Sequence, residues 1–459
     1  MHGDMNRREF FNHSAGAFAV AAASGTARQA SGQTKQSLRL ALTGDVILSR
    51  RVSMLTDPRF LEVVRLLENA DCAFGNCELV MAHRDEGHPS AMGLSLSVVV
   101  DPFVADELAW LGFDVMSTAN NHTLDYGRGG VMATLAHLDR VGIVAAGTGA
   151  NLQQASAMNY ADTPSGRVGL VACSSTFAPH APAVLARGDF PGVAGLNQMR
   201  RDVRWQLPPA LYRGVQDAAE ALKPLQVRGA NFPEPEELTL MGAKFVQGAE
   251  PELLSDPHPA DLKRITEAVA VGRRNARLVL ATVQAHEIYR ELTTPDPFVP
   301  VLARKAIDAG ADVFITHGSH YVAGIEMYDG RPIFYGLGDF FFQYETIPGF
   351  AADSFEAYGV DPHAVDPSLA TDRIPLAGGR KLWETIVPVL DYDGDRLTRL
   401  DLFPVTLGMS QPRHQRGTPV TASPEDGERI IEELAVMSRA YGTNVTWDGT
   451  KGSVELDTA

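Results

Sequence analysis

The sequence predicts an α/β fold. Three observations carry that expectation. Short apolar runs of strand length recur between residues 38 and 320, helical apolar spacing lies between them, and each run stops at a polar loop. The runs are LRLALTGD (38–45), DCAFGNCE (71–78), FDVMSTANN (113–121), GRVGLVACSS (166–175), ARLVLATVQAHE (276–287) and ADVFITHGSH (311–320). Being apolar almost throughout, rather than alternating, they read as parallel strands buried on both faces.

The helices follow from a different period. LEVVRLLEN (61–69) and GVMATLAHLDRVG (130–142) place apolar residues at i, i+3 and i+4. In GTGANLQQA (147–155), the third glycine of a dinucleotide fingerprint is missing, so the stretch reads as a turn before a helix capped by Asn151. Residues 201–260 are proline-rich with weak helical patches, and 346–380 is a loop of Gly, Pro and Asp. Both are long enough to be insertions over a site. Beyond residue 325 two hairpins are expected, turning at Asp329–Gly330 and Asp393–Gly394, as antiparallel strands on one side of the sheet. Phe334 and Phe340 to Phe342 read as core strand. SPEDGERIIEELAVMSRAYG (423–442) reads as a helix with Ser423 as N-cap, Pro424 in the first turn and Gly442 at the stop.

Composition narrows the function. The chain has 459 residues, 45% hydrophobic and 21% charged, with formal net charge −16. Such acidity argues against binding nucleic acid or an anionic membrane by default. Three cysteines, Cys72, Cys77 and Cys173, make no disulfide framework. Residues 1–34 read as a twin-arginine-type export signal and linker: Arg7–Arg8 precede a mild apolar run, Ala15–Ala23, too short to span a bilayer. The expected location is therefore periplasmic or at the cell surface. No later segment reaches transmembrane length.

The chemistry concentrates where the strands end. Asp45 closes the first run; Asn76 and Glu78 the second; Asn120, Asn121 and His122 the third; Gln284, His286 and Glu287 a later one; His317 and His320 another. Loops at strand C-termini converge in an open α/β sheet, so these groups are expected to meet in space. Carboxylate, amide oxygen and imidazole without thiolate suit Mn, Fe, Zn or Mg rather than a soft metal. Two such cations clamp a phosphoryl or acyl centre and generate hydroxide near neutral pH. Each group alone has a plain reading, as a turn residue, an N-cap or a satisfied polar side chain.

The order Gly-Asp, Asn-x-Glu, NNHTLDYG and HGSHYVAGIEMYDGRPIFYGLGDFFF resembles the CapA family of poly-γ-glutamate capsule biosynthesis proteins, over about residues 38–345 and more weakly to about 450. The resemblance implies a calcineurin-like metallophosphoesterase fold, a four-layer αββα sandwich. That domain would cover 35–410, with insertions near 201–260 and 346–380, and residues 411–459 would pack a helix and strand on it. It implies one or two divalent ions held by Asp45, Glu78, Asn121, His286, His317 and His320, with His122 and His286 catalytic. Asn76, Asn120, Asp125, Tyr126, Arg200 and Glu287 would support the site or touch substrate. Gly192, Asn197 and Arg200 resemble a family segment near it, Arg200 holding a carboxylate or phosphate by bidentate pairing. The chain departs from the pattern at three places: Val46 and Ile47 follow Asp45 where the wider superfamily has Asp-x-His, Gln284 stands where many relatives have histidine, and Asp339 replaces an asparagine.

The functional expectation is an exported metal-dependent hydrolase of a phosphoester or amide, linked to a capsule polymer. The alternatives are a polymer-binding capsule protein with a degenerate metal site, and a metal-dependent peptide epimerase. Partners would be a polymer or small-molecule substrate and capsule-synthesis machinery.

Overall fold

The computed structural model describes residues 37–90, 97–223, 237–347, 352–366, 369 and 379–456. The expected export signal lies outside them, as do 348–351, 367–368 and 370–378 of the expected loop.

Along the chain, strand β1 (Ser37–Ile47) leads to helix α1 (Pro58–Glu68), β2 (Cys72–Cys77), α2 (Phe103–Leu111), β3 (Val115–Ser117), α3 (Gly127–Arg140) and β4 (Val144–Ala146). Strands β5 (Asn159–Thr163) and β6 (Gly166–Ser174) follow, then α4 (Pro259–Arg273), β7 (Leu278–Gln284), α5 (Phe298–Asp308) and β8 (Val313–His317). The hairpin β9 (Ile325–Tyr328) and β10 (Arg331–Phe334) precedes β11 (Asp339–Phe342), β12 (Glu384–Asp393), β13 (Arg396–Thr406), α6 (Pro424–Arg439), β14 (Val445–Trp447) and β15 (Gly452–Val454). All six apolar runs are strands, but they divide between two sheets. One sheet runs β14-β15-β13-β12-β1-β2-β3-β4, with β11 alongside the end of β1; the other runs β9-β10-β8-β7-β6-β5.

The period-2 alternation of side chains shows how the sheets stack. Leu38, Leu40 and Leu42 of β1 share one buried cluster with Leu278 and Leu280 of β7 and Val313 and Ile315 of β8. The intervening Ala41 faces α1 and α2, and Val279, Ala281 and Phe314 face α4 and α5. Four layers result, helix–sheet–sheet–helix. Each central strand is apolar on both faces because each face meets another layer.

Two expectations change. The hairpins do not share one side of one sheet: β9 and β10 form an edge of the second sheet, while β12 pairs with β1 inside the first. Asp329 and Gly330 turn the first hairpin with φ of 50° and 70°, the twist two-residue loops favour. The second turns at Gly394–Asp395, one residue later than expected. The described parts of 201–260 are more regular than weak helical patches. They hold strands Arg201–Leu207, Leu238–Leu240, Ala243–Gln247 and Glu252–Pro257 in a small sheet beside helix Pro209–Leu222. Prolines there start elements rather than interrupt them: Pro209 and Pro259 each occupy a first helical turn.

Elsewhere the local signals hold. Asn151 caps its short helix by accepting from the Gln154 amide, and Ser423 accepts from the Asp426 amide. Ile430, Ile431 and Leu434 of α6 enter the inter-sheet core. The three cysteines are buried and form no disulfide. Among the described residues, no helix is long and apolar enough to cross a membrane.

Candidate metal centre

Strand register brings the polar ends together. Asp45 lies beside Asn76 of β2 and Asp339 of β11, and Gln284 lies beside His317. Gly44 makes the first of these meetings possible. A Cβ there would sit 1.7 Å from the Gly338 carbonyl oxygen, so only glycine lets the two backbones cross. Gly338 in turn accepts a hydrogen bond from the Asp45 amide at 3.0 Å, which fixes Asp339 next to Asp45.

Two pairs of acceptors face inward. Asp45 accepts from the Asn76 amide at 2.8 Å and from the Gly318 backbone N–H at 3.0 Å. His317 Nδ1 stands 3.4 Å and His320 Nδ1 3.6 Å from its two oxygens. His320 Nδ1 is 2.8 Å from Asp339, and its backbone is held at a φ of 62°. Left-handed backbone at a histidine is strained, and such strain persists where the surroundings over-determine the position. On the other side, Glu78, Asn121 and His286 surround one atom, the Gln284 amide nitrogen. It donates to Glu78 at 2.9 Å and to Asn121 at 3.2 Å, and lies 3.1 Å from His286 Nε2. The Gln284 oxygen accepts from Asn76 at 2.9 Å, linking the two halves. The His286 and His320 rings meet edge-on, 5.1 Å between centroids.

His122 stands beside this ring. Its Nδ1 is 2.7 Å from Asp125, whose same oxygen accepts from the Val98 backbone N–H at 2.6 Å. The Tyr344 hydroxyl lies 3.4 Å from His122 Nε2. Burial opposes the imidazolium of His122, but the charge of Asp125 outweighs it and raises the pKa. Burial likewise opposes charge on His320; Asp339 and Glu78 overcome it and push the pKa up to about 10. Burial pushes Asp339 up to about 7 against the pull of His320. For Asp45 burial acts upward, but hydrogen bonding and charge from His317 prevail and lower it to about 2.

The donor set fits a divalent cation. Four residues of the ring carry buried polar atoms without a hydrogen-bond partner: Asn76 Oδ1, Glu78 Oε2, His317 Nε2 and Asp339 Oδ2. A buried unpaired polar group costs about 1–3 kcal/mol, so several at one place mark a missing partner. All the orphaned oxygens are hard acceptors, and Asp45, His320 and Asp339 bring ligand atoms within 4.8 Å of one another, as do Glu78, His286 and His320.

Other residues singled out from sequence lie around this ring or away from it. Asn120 closes its own turn, donating to the Cys77 carbonyl at 2.7 Å and accepting from the His122 amide at 3.1 Å. Glu287 accepts from Ser175 at 2.7 Å and pairs with Arg201 at 3.1 Å. Arg200 makes its bidentate pair with Asp261 of α4, at 2.7 and 3.0 Å, and so anchors a helix. Asn197 holds the Ala172 carbonyl, with Gly192 in the loop before it. The Tyr126 hydroxyl donates to the Arg84 carbonyl at 3.0 Å. Sequence reasoning left out Tyr344, which has no local signal, and gave Asp339 no role in the site.

Comparison with known proteins gives a consistent picture. A family model described as bacterial capsule synthesis protein PGA_cap matches residues 39–344. The uncharacterized protein y4sH of Sinorhizobium fredii is 34% identical over 427 residues, covering 90% of this chain and 92% of the relative. The capsule biosynthesis protein CapA of Bacillus anthracis is 23% identical over 67% of this chain and 60% of its own length. A probable polyglutamine synthesis accessory protein of Mycobacterium tuberculosis is 29% identical over 72% of this chain and 63% of its own length.

Proposed function

The chain belongs to the bacterial capsule synthesis PGA_cap family, and from that premise we propose that it is an exported hydrolase. It would use a divalent cation to cut a phosphoester or amide in a capsule polymer of the poly-γ-glutamate type, in the periplasm or at the cell surface. One observation carries the catalytic part. Acids, amides and imidazoles from six strand ends lie within hydrogen-bonding distance of one another and leave four residues with buried, unpartnered polar atoms.

Asp45, His317, His320 and Asp339 would hold the cation. Glu78, Asn121 and His286 face the Gln284 amide nitrogen, which stands where a second cation would need to be. One ion is therefore the stoichiometry we propose. A bound cation supplies Lewis-acid polarisation of a phosphoryl or acyl oxygen and acidifies water. The protein's own contribution is positional. Asp125 engages Nδ1 of His122, fixing the ring so that Nε2, beside the Tyr344 hydroxyl, is the nitrogen that would hand a proton to a leaving group. The Asp45 contacts with Asn76 and Gly318 hold the first acid in place.

The test is turnover of p-nitrophenyl phosphate by purified protein reconstituted with Mn²⁺. Activity that vanishes on chelation and in Asp45→Ala and His122→Ala supports the hydrolase. The Gln284 contacts favour a second reading, a polymer-binding protein with a reduced metal site. Undiminished poly-γ-glutamate binding after chelation, without turnover, would establish that reading instead.

A further inference from the structure

A separate group of ligating side chains lies where the chain after Met81 crosses helix α3. His83, Glu86 and His137 each offer an atom within 4.8 Å of the others. We propose that these three residues form a second divalent-cation site, of the zinc type, that clips the 83–88 segment to α3.

The arrangement is set by the backbone. The Glu86 amide donates to the His83 carbonyl at 3.0 Å, and the His83 amide donates to Glu86 Oε2 at 2.6 Å. This reciprocal turn fixes the carboxylate. His137, in the last turn of α3, brings Nε2 to 3.0 Å from the same oxygen. The His83 and His137 rings stand perpendicular, 5.5 Å between centroids. The segment is pressed onto the start of the same helix. The Tyr126 hydroxyl donates to the Arg84 carbonyl, and a Cβ on Gly129 would lie 2.2 Å from the Glu86 carbonyl oxygen.

An ion pair between His137 and Glu86 accounts for two of the three residues. It does not account for a second imidazole turned toward the same carboxylate. Two imidazoles and a carboxylate are a common zinc donor set, with bonds of about 2.0–2.2 Å and ligand atoms roughly 3.3 Å apart. His83 is exposed, so a water completes the tetrahedron. Val80, just before the segment, gives its N–H to the Val98 carbonyl at 2.8 Å, and Val98 gives its own N–H to Asp125, the partner of His122. A clip at His83 thus restrains a segment tied to the buried centre.

The test is Zn²⁺ titration of the full chain in competition with a chromophoric chelator, in wild type, His83→Ala, His137→Ala, His320→Ala and the His83→Ala/His320→Ala pair. His83→Ala and His137→Ala should each lose one equivalent. The pair should lose that equivalent in addition to the one lost by His320→Ala. X-ray absorption on zinc-loaded His320→Ala should show two imidazoles and oxygen ligands. Unchanged stoichiometry in His83→Ala, whose side chain is exposed and whose fold is not at risk, overturns the proposal. So does an absorption spectrum without imidazole scattering.

Discussion

Replacing Gln284 by histidine separates the ligand role of that position from its hydrogen-bonding role. The wild-type amide makes three bonds, to Glu78, Asn121 and Asn76. The bond to the Glu78 carboxylate is the strongest, about 1.5–3 kcal/mol, and the bond to Asn121 about 0.5–1.5 kcal/mol. An imidazole, with one N–H and one acceptor nitrogen, cannot make all three. Glu78 already has one oxygen without a partner, and losing the other leaves a buried carboxylate bare. The cation-free variant should therefore be less stable than wild type by roughly 3–4 kcal/mol. With a cation present most of the loss is recovered, because the new imidazole joins Glu78, Asn121 and His286 as ligands. At a hundredfold excess over Kd, one additional bound ion stabilises by about 2.7 kcal/mol. Elemental analysis should find one more equivalent in Gln284→His than in wild type. The melting temperature of the variant should respond to Mn²⁺ or Zn²⁺ more steeply than wild type does. If Gln284→His holds no more metal than wild type and melts with no greater dependence on it, the amide is not standing in a cation's place.

Three further outcomes follow from the geometry. His122→Ala should cost about 10²–10⁴-fold in kcat for p-nitrophenyl phosphate, the usual range for a lost proton donor, with KM nearly unchanged. A rate within a factor of three of wild type would exclude that role. Gly44→Ala should destabilise by roughly 3 kcal/mol or more, read from the urea midpoint, because its Cβ would collide with backbone at 1.7 Å rather than with a movable side chain; a change under about 1 kcal/mol would contradict the close approach. Asp312, at the end of the loop into β8, is raised to about 6 by burial, against the pull of Arg273. Its folded pKa exceeds the unfolded value, so its contribution is fully present below pH 4 and is lost as pH rises through 6. Asp312→Asn should thus gain on wild type, by up to about 3 kcal/mol, between pH 4 and pH 7 in paired thermal melts; a gap independent of pH would refute the burial argument.

The six buried strands and the polar groups at their ends were readable in sequence because both depend on local pattern: unbroken apolar runs, then Asp, Asn, His and Gly. Capping at Asn151 and Ser423 was equally local. The small sheet between 201 and 257 was not, since its strands are half-exposed and its pairing joins segments far apart in the chain. Nor could the sequence say which strands share a sheet. A strand buried on both faces looks the same whichever layers cover it, so Leu40 and Leu280 carry no mark that they would meet across one core. The meeting of Asp45 with Asp339, and the direction in which Gln284 points its amide, are likewise set by register and by backbone crossing at Gly44. Residue types thus determined by themselves that hard, oxygen- and nitrogen-rich chemistry would gather at the strand ends. Only the stacking of two sheets decided which donors face each other, because that depends on contacts between residues hundreds of positions apart.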